Sequence, residues 1–267
     1  MVCVVVGLIH DYPSRVIAQV LGSRPGEVAS FASAVETIFD AQRGVPEAVT
    51  NGWSAIQELD NHILDLIDRK RAEPGEDLIS DLIRSETEDG ALSTEEVQDI
   101  AVAVVMAGTE TTRNMLIRGL QLLAERPEIW AQLVDDKSLS AAVEEILRFA
   151  PLAPLRRVLS TDLPVGDLEA PEGAVITLDL GAVNRDPAAI DDPHTFRLDR
   201  QGPSQHFTLS HGHKFCLGAN LAKAEMVEAL RVLRTRFVAL EVAEPPVWSS
   251  GGIPRGQRIM LRFGPAL

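Results

Sequence analysis

The chain reads as a mainly helical protein with small β-sheets, an α+β fold. Three observations carry this. From residue 11 to 149, apolar residues recur at three- and four-residue spacings in stretches punctuated by Gly and Pro. After Pro151 and Pro154 the pattern changes to short strands, 157–160 and 174–180, with Gly166 and Pro171-Glu172-Gly173 as turns. A helical pattern returns from about 217 to 237 and gives way to a β-rich tail through 259–263.

Composition narrows the class. With 267 residues the chain is long enough to bury a substantial core. Aromatics are only 4%, so Leu, Val, Ile and Ala must fill it. The net charge of −14 argues against nucleic-acid partners and against anionic membrane surfaces. Cys3 and Cys216 are the only cysteines, which indicates no disulfide framework and fits a reducing cytoplasm. The apolar start, 1–9, is far too short to span a bilayer and has no basic flank, so it reads as a buried strand or a hydrophobic leader.

Taken in order, residues 11–22 form an amphipathic helix with Pro13 near its start, Gly22 at its end, and Val16, Ile17, Val20 and Leu21 as its apolar face. Residues 25–39 and 46–71 are two further helices. The second places Trp53, Ile56, Leu59, Ile63, Leu66 and Ile67 on one stripe and ends in basic residues. A short helix over 77–84 precedes a turn at 86–92. Ser93 or Thr94 caps a long helix to about 125, apolar all round at 100–106 and therefore buried. Pro127 starts a helix over 127–136, and Ser140 starts another over 140–149.

Two stretches ask for chemistry. In the long buried helix lies Ala107-Gly108-Thr109-Glu110-Thr111-Thr112. A glycine, an acid and threonines inside a buried helix cost stability and point to a functional distortion. A satisfied polar kink, with hydroxyls bonded to the preceding turn, explains them equally well. The second stretch is 209–225, LSHGHKFCLGANLAKAE, where Cys216 sits just ahead of a helix. Unpartnered N–H groups and the helix dipole there favour a thiolate, suited to a soft metal bond such as haem iron. Gly212 and Gly218 let backbone pass close to a flat group. The alternatives are an inert core cysteine, or zinc held by His211, His213 and Cys216. Glu145 and Arg148 share a helix face, by default a surface pair worth little, and Arg200 alone is by default a solvated arginine.

Read together, these stretches resemble the cytochromes P450 of the soluble bacterial type. The family's haem loop, Phe-Gly-x-Gly-x-His/Arg-x-Cys-x-Gly followed by Leu-Ala and an acid, is matched at Gly212, Cys216, Gly218, Leu221, Ala222 and Glu225. Leu209, Ser210 and Lys214 stand where the family has phenylalanine, glycine and histidine or arginine. Residues 107–112 match the central-helix motif Ala/Gly-Gly-x-Asp/Glu-Thr-Thr at every position. Glu145 and Arg148 resemble the family's Glu-x-x-Arg pair, with Arg200 as its third member. The segment 11–22 resembles a motif about a third of the way along family chains. Residues 184–187 and 192–196 resemble the irregular connection to the haem loop.

The resemblance implies one P450-like domain over 1–267 with the N-terminal portion of the family fold absent. It implies haem b as cofactor, with Cys216 as the metal ligand. Ala107 and Gly108 would leave room for haem and oxygen, Gly218 would pass beside the macrocycle, and Arg157 and Lys214 would meet its propionates. Glu110 and Thr111 would relay protons during oxygen activation. The implied activity is a haem-thiolate monooxygenase that inserts one atom of dioxygen into a small organic substrate, fed by a ferredoxin-type electron donor in the cytoplasm. The alternative is a non-catalytic accessory protein or an inactive remnant. Self-association, or a partner chain, would cover what the missing portion covers in the family.

Overall fold

The structure, a computed structural model, describes residues 2–4, 9–88, 90, 92–200, 206–249 and 254–264. The chain divides into two compact units, Met1–Ile117 with Val242–Arg262, and Arg118–Glu241 with Phe263–Leu267.

The first unit contains strand β1 (Val2–Val4) and helices α1 (Tyr12–Leu21), α2 (Val28–Asp40), α3 (Pro46–Ala72) and α4 (Leu78–Glu88). It also holds most of α5 (Thr94–Ala124) and of β6 (Leu240–Trp248) and β7 (Gly256–Phe263). The segment called a leader or strand is, over its described part, a strand: β1 pairs antiparallel with β7, Val2 opposite Arg262, in a sheet ordered β1-β7-β6. Helix α1 carries Pro13 in its first turn and stops at Gly22, whose φ of 76° suits a residue without Cβ. It buries Pro13, Ser14, Ile17, Ala18 and Leu21, so the apolar face is rotated slightly from the expected one.

Helix α3 corrects the sequence reading at its N-terminal half. Trp53 is 66% exposed, whereas Gly52, Ala55 and Leu59 face inward. A Cβ on Gly52 would lie 2.6 Å from that of Ala41, so small residues allow the close approach there. The long helix starts with a capping pair: Glu96 N–H donates to Ser93 Oγ at 3.2 Å, and Ser93 N–H donates to Glu96 Oε2 at 2.7 Å. The core of this unit is aliphatic, with Leu21, Leu59, Ile63, Leu66, Ile67, Ile79, Val97 and Val105 buried.

The second unit contains α6 (Pro127–Gln132), α7 (Asp136–Phe149), strands β2 (Leu155–Val158), β3 (Leu163–Val165), β4 (Leu168–Ala170) and β5 (Val175–Leu178), the short α8 (Leu180–Val183) and α9 (Ala219–Arg236). Helix α7 begins four residues before the expected Ser140. Asp135 accepts the Ser138 N–H at 2.8 Å, and Ser138 Oγ accepts from Asp135 N–H at 3.1 Å, so an Asp/Ser pair at 135/138 sets the start. Helix α6 correspondingly ends at Gln132. Strands β2 and β5 pair antiparallel with Arg157 opposite Ile176, and β3 and β4 form a hairpin. Helices α7 and α9 pack together, and Val143, Ile146, Leu147, Met226 and Leu230 on them are buried.

Candidate functional site

In the first unit the motif on α5 is continuous helix, so the expected distortion is not seen. The Thr109 and Thr111 hydroxyls are satisfied locally. Thr109 Oγ1 donates to Val105 O at 2.9 Å and Thr111 Oγ1 to Ala107 O at 2.5 Å. Gly108 has a packing reason of its own: a Cβ there would lie 2.3 Å from Ile17 Cδ1, so the glycine admits α1. Ala107 is exposed and Thr111 half-buried. Glu110 is only 1% exposed. Its Oε2 pairs with the Arg113 guanidinium, and its Oε1 accepts from Asn114 Nδ2 at 2.8 Å. Among the described residues no hydrogen bond joins Glu110 to Thr111, as expected for adjacent positions on a helix.

Arg113 also donates to Glu36 Oε1 at 2.7 Å, and the same oxygen lies 2.9 Å from His10 Nε2. Burial raises the Glu36 carboxyl, but Arg113 and His10 outweigh it and hold it below the ordinary range. Arg113, Glu36, Asp40 and Arg255 line an open cleft of about 630 Å³. Sequence reasoning missed Arg113 and Asn114. Their spacing of three and four from Glu110 was the available signal.

In the second unit, Glu145 and Arg148 are a buried pair rather than a surface one, 3% and 2% exposed. Arg148 Nε and Nη2 each donate to Glu145 at 2.7 Å. Arg200 Nε completes the set at 3.0 and 3.1 Å, so it is not a solvated arginine. Asn184, also missed, fastens this network to the cysteine loop. Its side chain donates to Arg148 O and Thr208 Oγ1 and accepts from Phe207 N–H at 2.8 Å.

The loop leads to a short turn, Gly212–Lys214, and then to Cys216, whose N–H donates to Leu209 O at 2.8 Å. Cys216 is exposed with a free thiol, which removes the inert-core alternative. Among the described residues no three His, Cys, Asp or Glu side chains form a metal site, so the zinc alternative finds no support. The helix starts at Ala219, two residues later than expected. Ser210 adopts φ 66°, a left-handed conformation costly for a residue with a Cβ, and its Oγ lies 3.1 Å from Arg157 Nη2. Arg157 and Lys214 are both exposed, and neither pairs with a carboxylate among the described residues.

A family profile, Cytochrome P450, matches residues 27–138 and 137–241. The chain belongs to the cytochrome P450 family. It is 36% identical to 6-deoxyerythronolide B hydroxylase of Saccharopolyspora erythraea, over 92% of this chain and 62% of that protein. It is 33% identical to nocardicin C N-oxygenase of Nocardia uniformis subsp. tsuyamanensis, over 94% of this chain and 64% of that one. Among solved structures, the open cytochrome P450 EryK of S. erythraea superposes with a TM-score of 0.91 at 27% identity, covering 99% of this chain and 70% of that chain. The chain thus spans somewhat under two thirds of the length of the curated relatives it matches.

P450 proteins carry haem b. The residues of the cysteine loop suit that group. Cys216 offers the soft sulfur, and Cβ atoms built on Gly212 and Gly218 would meet nothing within 4 Å, leaving open space on both sides of it. Phe207, Phe215 and Leu217, in the same stretch of chain, are uncovered, Leu217 at 94% exposure. The P450 glycine that Ser210 replaces has a physical reason visible in this backbone, since position 210 demands positive φ. No described helix is long and apolar enough to cross a membrane.

Proposed function

We propose that this chain is a haem-thiolate monooxygenase acting on a small organic substrate in the cytoplasm, with electrons supplied by a ferredoxin-type donor. The observation that carries the reading is the solvent-open thiol of Cys216, set between two glycines that leave room for a flat group. Haem b would supply the oxygen chemistry when bound. The family's relatives named above are a hydroxylase and an oxygenase.

The chain's own residues would serve as follows. Cys216 would donate its thiolate to the iron. Gly218 would keep the backbone clear beside it. Arg157 and Lys214, exposed cations without carboxylate partners among the described residues, would neutralise the propionates. Ala107, exposed on α5, would keep the surface low there, whereas Gly108 makes room for Ile17 of α1. Glu110 would move protons at its carboxylate, and the Thr111 hydroxyl, now donating to Ala107 O, would hold the next proton in line. We read all of 1–267 as one P450-like domain, with self-association or a partner chain covering its uncovered apolar strands.

A reduced-CO difference spectrum of the purified, haem-reconstituted chain tests the reading. The expected result is a band at about 450 nm, the mark of thiolate-ligated haem, lost in Cys216→Ser. No haem absorbance in the unsubstituted chain would overturn it and leave a non-catalytic accessory protein.

A further inference from the structure

We propose that Asn114, together with Arg113, is a positioning residue for Glu110, holding the carboxylate of the proton relay in one orientation. The inference rests on the relay reading above and adds two residues to it.

Both oxygens of Glu110 are taken by side chains on the next turn of its own helix. Asn114 Nδ2 donates to Oε1 at 2.8 Å and to the Glu110 carbonyl at 2.9 Å, and Arg113 Nη2 holds Oε2. A carboxylate on a helix ordinarily rotates among several rotamers, and ordering it costs entropy. Here both oxygens are held, so the orientation is set before any reaction begins.

The holders are themselves held. Asn114 is 1% exposed, and its Oδ1 accepts the Gly256 N–H of β7 at 3.1 Å. A Cβ at position 256 would come within 2.8 Å of Ile117 Cγ2, so only glycine lets β7 approach α5 closely enough for that bond. The amide of Asn114 therefore has each end committed: the NH₂ to Glu110 and the oxygen to β7. Arg113 is anchored at its other nitrogen by Glu36 of α2. Glu36 in turn is steadied by His10, which also contacts Asp11 at 2.7 Å. Removing Asn114 frees Oε1, whereas removing Arg113 leaves a buried carboxylate without its cation.

The division of labour follows from charge. Arg113 compensates the negative charge that burial would otherwise forbid. Asn114 is neutral and contributes direction, because its donor points along a line fixed by the β7 bond. This predicts that Asn114 variants damage proton delivery without abolishing haem ligation, which lies with Cys216.

The test uses the haem-loaded full chain with hydrogen peroxide as oxidant and guaiacol as reporter, in H₂O and in D₂O. Asn114→Leu and Asn114→Asp are compared with Glu110→Gln, and Arg113→Gln with Arg113→Lys. The expected result is a roughly ten- to hundredfold slower guaiacol rate in both Asn114 variants. Their solvent isotope effect should move toward that of Glu110→Gln, and Arg113→Lys should recover part of what Arg113→Gln loses. On the haem-free chain, the urea midpoint of Glu110→Gln/Asn114→Leu should shift by less than the two single shifts added. A parent-like rate and isotope effect in both Asn114 variants, with Glu110→Gln slow, overturns the inference and leaves the relay reading standing. A parent-like Glu110→Gln overturns the relay and this inference with it. Loss of the band near 450 nm only in the Asn114 variants overturns it too, by placing Asn114 in haem binding.

Discussion

A carboxyl group taken out of bulk solvent holds its proton more tightly, and Glu225 on α9, 4% exposed, is such a group. Burial pushes it up to about 8 from the ordinary carboxylate value of 4.5. The folded-state value exceeds the unfolded one, so the fold binds the proton more tightly. The resulting stability is fully present below about pH 4.5 and is lost as pH rises through about 8. A one-proton difference gives a slope of up to about 1.4 kcal/mol per pH unit across that window. Glu225→Gln should flatten this part of the curve. Urea unfolding between pH 5 and 9 should therefore find the variant more stable than the parent above pH 8, with the gap closing toward pH 5. At this scale the residue types of the motifs were legible because their spacing is local. Their distant partners were legible only through the resemblance, which named Arg200 as the third member with Glu145 and Arg148. That Asn184 ties Arg148 to Thr208 was not legible, because it depends on contacts tens of residues apart that periodicity does not encode.

Helices were largely legible, because Pro at their starts and the 3.6-residue stripe are written locally. The errors have physical reasons. Ser140 yielded to the Asp135/Ser138 pair as the start of α7, and Trp53 turned outward because Gly52 allows α3 to approach Ala41. Helix α5 is the instructive case. Gly108 was read as room for a cofactor, yet its missing Cβ is filled by Ile17 of α1. Gly108→Ala should therefore destabilise the haem-free chain by about 1–3 kcal/mol through overpacking. Adding Ile17→Val, which removes the offending Cδ1, should return part of it in urea unfolding. Equal losses with and without the second change would show that α1 is not what the glycine accommodates.

At the level of the molecule, strands β2 and β5 pair only with each other among the described residues. Val158 and Val175 face each other across that ladder and both are exposed, as is Leu178. Open strand edges beside uncovered apolar side chains promote association. Sedimentation velocity from about 1 to 50 μM should show species larger than one chain, reduced by Val158→Thr with Val175→Thr. A single monomeric boundary across that range would count against it. The fold class was legible from the alternation of helical and strand periods. The division into two units was not, because α5 carries one uninterrupted pattern across the boundary at Ile117.

The acid at position 145 also sets a timetable. It joins Arg148 three residues away and Arg200 fifty-five residues away. The near contact forms as soon as α7 winds, whereas the far one must first close a long stretch of chain against its own disorder. Loop closure thus predicts an order for refolding in which the bond to Arg148 precedes the bond to Arg200.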